Sequence, residues 1–212
     1  MNKPVIQTVA KLSLALALIA NLSACVELVV GSALVGGMAA ADRRTLGAQT
    51  EDKSIGLKGE ARISKMLGDA GHVNIASFNR RVLLTGEVKD DAIRQQVEKE
   101  ARAIEGVLDV VNEIEISGTS SLTSRSSDTL ITTKVKAGFV NNKDLYANSM
   151  KVVTERGTVY LMGRVTQREG NLAAEVARSA SGVQKVVKVF EYISEEEMRK
   201  LTPKSTEATA PQ

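Results

Sequence analysis

A single cysteine, a single histidine and no tryptophan in 212 residues close off several chemistries at once. One cysteine cannot form a disulfide within its own chain, and one cysteine with one histidine cannot build a structural zinc site. A Ser-His-Asp site would have to rest on His72, and no serine sits in a nucleophile-elbow pattern. Phosphate-cradling glycine loops are also missing, since Val35-Gly36-Gly37 does not lie between a strand and a helix. Three Phe and three Tyr leave few platforms for stacking bases. No sign of charge dominates, with 28 Lys+Arg against 25 Asp+Glu. The expectation is a non-enzymatic protein with no catalytic residue, metal, cofactor or nucleic-acid partner.

The N-terminus is where the sequence is most specific. Lys3 and Lys11 precede an apolar stretch, Leu12 to Ala20, that is too short to span a bilayer. It ends in Leu22-Ser23-Ala24-Cys25, with small residues where a peptidase must approach the backbone. This run resembles the lipobox of bacterial lipoproteins. The resemblance implies a signal peptide over 1–24 and a Cys25 that carries diacylglycerol as the first mature residue. Val26, rather than Asp, follows Cys25; by the same resemblance this favours the outer membrane. Loss of Lys3 and Lys11 leaves 26 basic against 25 acidic side chains, so attraction to an anionic surface must be local. Residues 25–50 are expected to be a lipidated N-terminus and polar linker. Residues 195–212 are expected to be a disordered tail.

Between these ends the chain repeats itself. Arg81-Val-Leu-Leu-Thr-Gly86-Glu-Val88 matches Thr158-Val-Tyr-Leu-Met-Gly163-Arg-Val165. An amphipathic helix follows each, over 89–104 and 167–180, predicted to stop at Gly106 and Gly182 with a left-handed cap. Each copy then enters a strand, Val107 to Ile116 and Val183 to Tyr192. Earlier strands near 72–78 and 149–154 form hairpins through Asn79-Arg80 and Arg156-Gly157. A short helix opens each copy, over 60–67 and 128–140, and Asp128 is placed to cap the second. The order αββαβ gives an α+β fold: two small three-stranded sheets, each with two helices packed on it. The copies are bounded at 51–118 and 126–194, with 119–125 as linker.

The pattern of apolar strand, Gly86 or Gly163, amphipathic helix and Gly-Val-x-x-Val resembles the BON domain. Two copies behind a lipobox are similar to the dual-BON-domain outer-membrane lipoproteins of Gram-negative bacteria. That resemblance implies a role in envelope integrity and enrichment at division sites. It also implies binding of anionic, phosphatidylglycerol-like phospholipid through the second domain. The family often carries a bulkier aromatic where this chain has Leu130.

On a helical wheel, Ile131, Val135 and Phe139 share the face turned to the sheet, whereas Leu130 falls on the far side with Thr133, Lys134 and Ala137. Lys136 lies farther round and still away from the core. An exposed leucine beside lysines suits a lipid interface. Leu130, Thr133, Lys134, Lys136 and Ala137 are therefore the expected lipid-binding residues. The segment 60–67 of the first copy offers no comparable exposed apolar residue. Two other readings stand beside this one: an adaptor for outer-membrane assembly proteins, and a periplasmic chaperone.

Overall fold

Val82-Leu83-Leu84 and Val159-Tyr160-Leu161-Met162 are unbroken apolar runs rather than alternating ones. In a computed structural model of the chain, which describes residues 42–118 and 121–201, they form the central strands of two sheets. The first copy runs α1 (Leu46–Leu67), β1 (Gly71–Phe78), β2 (Arg81–Val88), α2 (Asp91–Arg102), β3 (Asp109–Ile116). The second runs α3 (Leu122–Asn141), β4 (Met150–Glu155), β5 (Thr158–Val165), α4 (Gln167–Ser179), β6 (Lys185–Tyr192). A short α5 (Glu195–Leu201) follows. In each sheet the middle strand pairs antiparallel with the preceding strand and parallel with the following one. The expected αββαβ order holds twice.

Each sheet keeps its helices on one face. Val82, Leu84 and Val88 of β2 pack with Ile55, Ile63, Val97 and Ala101. Val159, Leu161 and Val165 of β5 pack with Ile131, Val135, Phe139 and Ala173. The repeated glycines mark close strand approach. A Cβ at Gly86 would run into the His72 carbonyl oxygen, and one at Gly163 would stand 2.7 Å from that of Ser149.

Both hairpins have two-residue turns with left-handed backbone at Asn79 and Arg80, and at Arg156 and Gly157. That geometry matches the strand twist, but it is strained for arginine. One carboxylate from the opening helix holds each turn. Asp52 of α1 accepts from the Asn79 and Arg80 amides at 2.7 and 2.8 Å. Asp128 of α3 accepts from the Arg156 and Gly157 amides at 2.9 and 2.8 Å. Asp128 is thus not a helix cap. Ser121 caps α3, seven residues earlier, by accepting from the Ser124 amide.

Other boundaries move as well. The opening helices are longer than the expected 60–67 and 128–140, and they take in all of 46–50 and 122–125. The segment read as linker before residue 51 therefore holds structure from Asp42 onward. Helices α2 and α4 end at Arg102 and Ser179, before Gly106 and Gly182, whose φ of 91° and 98° serve the turn into the next strand. The tail expected to be disordered is helical over Glu195–Leu201, where Glu197 pairs with Arg164 at 2.6 Å. Residues 1–41, with Cys25, and 202–212 lie outside the described residues.

The faces turned away from the helices pack on each other. Ala76, Phe78 and Leu83 from the first sheet meet Tyr160, Met162 and Val189 from the second, forming a third apolar core. The layers therefore run helices, sheet, sheet, helices. Polar contacts frame this core, including Asn74 Nδ2 to Glu155 Oε2 and Asn79 Nδ2 to Glu191 Oε2, both 2.7 Å. Because this core belongs to both repeats, residues 42–201 should unfold in one cooperative transition on chemical denaturation. Leu83, with no exposed surface, should cost about 2–5 kcal/mol when cut to alanine. Two separate transitions in the unaltered protein would contradict this packing.

Candidate functional site

Ser- and Thr-rich segments are poor helix formers because their hydroxyls compete for backbone partners. In α3 several of those hydroxyls instead bond back along the helix: Thr129 to the Arg125 carbonyl and Thr133 to the Thr129 carbonyl, at 3.1 and 3.0 Å. The apolar side of α3 seats Ile131, Val135 and Phe139 against its sheet, as the wheel predicts. The opposite side faces water. Leu130 is 63% exposed, and Thr133, Lys134 and Ala137 are exposed around it.

The five predicted residues do not form one group. Leu130, Thr133, Lys134 and Ala137 share the outward face. Lys136 is exposed but turns to a cleft that it lines with Lys53 and Lys151. Lys134 is held in place, donating to Ser181 Oγ at 2.7 Å and to the Ser181 carbonyl at 3.3 Å. Val140, 72% exposed, extends the apolar side by about 15 Å from Leu130 at 1.5 Å per residue. Ten residues on from Leu130, Val140 lies about 80° round the helix, still on its water-facing half.

α1 changes the comparison between copies. Its segment 60–67 offers little, as expected, but its added turns expose Leu46 and Leu57 at 75% and 70%. Charge separates the two helices. α3 contains Arg125, Lys134 and Lys136, and its single carboxylate, Asp128, is buried under the hairpin turn. α1 mixes four cations with Glu51, Asp52 and Glu60. An anionic surface would therefore meet no exposed carboxylate on α3.

His72, the residue on which a catalytic reading would rest, lies half-buried in β1. It borders a polar cavity of about 210 Å³ with Asn74, Arg125, Asp128, Thr132 and Glu155. Burial and the nearby Arg125 push its pKa down, while Glu87 opposes them. Burial raises the pKa of Glu155, against the hydrogen bond from Asn74. Among the described residues no His/Cys/Asp/Glu group could hold a metal ion, and no helix is long and apolar enough to cross a membrane.

Just before α1, the chain is strapped to the second repeat. Arg43, 3% exposed, makes a bidentate pair with Glu169 at 2.9 and 2.6 Å and donates to the Arg164 carbonyl at 2.8 Å. Its guanidinium lies 5.2 Å from the Tyr146 ring centre. Glu169 also completes a capping box with Thr166 at the start of α4. Neither Arg43 nor Glu169 stood out in the sequence, although Thr166-x-x-Glu169 is a readable box.

Burial by itself would raise the pKa of Glu169, but the hydrogen bonds from Arg43 and from the Thr166 amide overcome it and hold it below 4.5. Its stabilising contribution is complete above that ordinary value and is lost as pH falls through the lowered one. Glu169→Ala, which leaves Arg43 buried without its carboxylate, should cost about 3–5 kcal/mol in chemical denaturation. Glu169→Gln should lose less stability than the unaltered protein on acidification below pH 4.5. An equal acid loss would place the sensitivity elsewhere.

Known sequences and structures can be set beside this geometry. The chain matches the BON domain over residues 57–118 and 127–194. It is 37% identical over 185 residues to a Haemophilus influenzae protein named outer membrane lipoprotein DolP, covering 86% of this chain and 96% of the relative. A 21 kDa hemolysin of Actinobacillus pleuropneumoniae is 32% identical over 72% of this chain and 79% of its own. The osmotically-inducible protein Y of Escherichia coli is 27% identical over 73% of this chain and 88% of its own. A type III secretion protein of Chlamydia trachomatis, CdsD, covers 70% of this chain and 97% of its own at a TM-score of 0.29 and 10% identity; that likeness carries no argument. With two copies of the domain, each on its own sheet, the chain belongs to the BON-domain family.

Proposed function

We propose that this protein is a non-enzymatic lipoprotein of the outer membrane, anchored through an acylated Cys25 with its repeats on the periplasmic side. Its second repeat reads anionic phospholipid and so supports envelope integrity, including at division sites. The observation that carries the lipid reading is the outward face of α3, where Leu130, Ala137 and Val140 stand beside Lys134 with no exposed carboxylate on the helix. The similarity to a relative named outer membrane lipoprotein, over nearly all of that relative's length, supports the location.

Energetics favour a weak contact made effective by a tether. Leucine and valine enter the acyl boundary while the ammonium stays with the phosphates. Each lysine near an anionic surface contributes about 1 kcal/mol, screened by salt. Acyl chains add about 0.8 kcal/mol per buried methylene, so the anchor dominates residence. The eighteen residue-to-residue steps from Cys25 to Arg43 span at most about 60 Å. Within that reach, anchoring raises the effective concentration of the α3 face at the bilayer.

A second reading rests on α1. Leu46 and Leu57, exposed amid mixed charges, suit a protein contact better than an anionic bilayer. In that case the protein acts as an adaptor for outer-membrane assembly proteins.

All three apolar cores lie within residues 42–201, so a soluble form starting at Asp42 suits the test. It should sediment with phosphatidylglycerol vesicles, less so as salt rises, and not with phosphatidylcholine vesicles. A folded Leu130→Glu/Lys134→Glu variant should lose that binding. Unchanged sedimentation by the variant would remove this face from consideration.

A further inference from the structure

Lysines are normally solvated singly, so three that converge without carboxylate partners need a reason. Between α1 and the start of β4 lies a cleft of about 280 Å³ that receives Arg44 and Lys53 from the side of the first repeat and Lys136 and Lys151 from the second. The charge of Arg44 is already matched: its guanidinium bonds Asp42 at 2.7 Å and Asp52 at 2.8 Å and lies over the Phe78 ring. Asp52 in turn is saturated by Arg44, the Ser77 hydroxyl and the hairpin amides. Lys53, Lys136 and Lys151 make no ion pair among the described residues. Lys151 is directed by a 3.2 Å bond to the Ser77 carbonyl.

The cleft is therefore cationic, with Arg44 and Lys151 held in place. Its single lining carboxylate is spent on holding a turn. Lys151 retains solvent access along its side chain, yet crowding by protein atoms, with Arg44 and Lys136 nearby, pushes its pKa down against the pull of Asp52. An anion placed between these ammonium groups would relieve that repulsion and gain charge-assisted hydrogen bonds. The Gln49 side chain lines the same space and supplies a neutral polar group for a hydroxylated substituent.

We propose that this inter-repeat cleft is a second anion site that takes a phosphate group borne on a small polyol. Lys53, Lys136 and Lys151 hold the phosphate, while Arg44 fixes the wall against Phe78. The site is distinct from the outward α3 face: of the residues expected on that face, only Lys136 reaches it. It reads the phosphate and needs no acyl chain. Either a free polyol phosphate or a lipid headgroup presents that chemistry.

The full chain, held in neutral detergent micelles, would be titrated with glycerol 3-phosphate while the Gln49 side-chain amide is followed by nuclear magnetic resonance. A saturable shift is expected, with affinity falling about tenfold or more in Lys53→Gln/Lys151→Gln, since two charge-assisted hydrogen bonds to the phosphate are lost. Lys53→Gln/Lys136→Gln tests the same site without disturbing the bond to Ser77. Phosphatidylglycerol added to the micelles should displace glycerol 3-phosphate if the headgroup is the natural source, and fail to displace it if the source is soluble; either result keeps the site. No saturable shift, equal affinity in both variants, or a shift reproduced by sodium chloride at matched ionic strength would overturn it. Glycerol 3-phosphate has nothing for Leu130 to bind, so this failure is separable from failure of the α3 face.

Discussion

A three-stranded sheet with helices on one side leaves its other side apolar, and everything else in this molecule follows from how that side is covered. Here the two repeats cover each other. Leu83, Tyr160 and Met162 are almost wholly removed from water by the opposite sheet. Each copy by itself is small enough that its helix-side core offers little margin. Sharing a third core turns two marginal units into one body, and it fixes where the outer helices point. α1 and α3 end on opposite outer layers, so only one of them can lie flat on a given bilayer.

Which of them does so is bound up with the strap before α1. The chain leaves its N-terminal segment at Asp42 and is pinned at once to the second repeat by the Arg43–Glu169 pair. Under the proposed anchoring at Cys25, a tether upstream would act first on the repeat that carries α3, although α1 comes first in sequence. Buried ion pairs are weak evidence for stability and better evidence for a fixed arrangement. In this chain the pair fixes the segment before α1 onto the second repeat. The cationic cleft has the same origin, because Arg44, next in sequence, is held by Asp42 and Asp52 at its edge.

Much of the fold was legible. Periodicity and the paired glycines located every strand and the α2 and α4 helices; the two helices read clearly because each has one wet face. The outward side of α3 was legible for the same reason. What was not legible came from interactions across long sequence distance. The runs at Val82–Leu84 and Val159–Met162 carried the trace of a sheet buried on both faces, but not what covers it. α1 looked short because Gly47, Gly56 and Gly59 depress helix propensity over its first turns; Gly59 is there because Ile75 occupies the space of its Cβ. Asp128 looked like a cap because hairpin turns and carboxylates are read locally, whereas its partners lie 28 and 29 residues away. The lysine cleft gathers residues from positions 44 to 151, which no local pattern can unite.

The central claim is that the acylated protein lays α3, and not α1, on an anionic bilayer. Its most direct test is amide line broadening by spin-labelled lipid in phosphatidylglycerol nanodiscs that carry the full acylated chain. The account predicts the strongest broadening across residues 130–140 of α3. Broadening centred on Leu46 and Leu57 of α1, or spread evenly over both repeats, would contradict it.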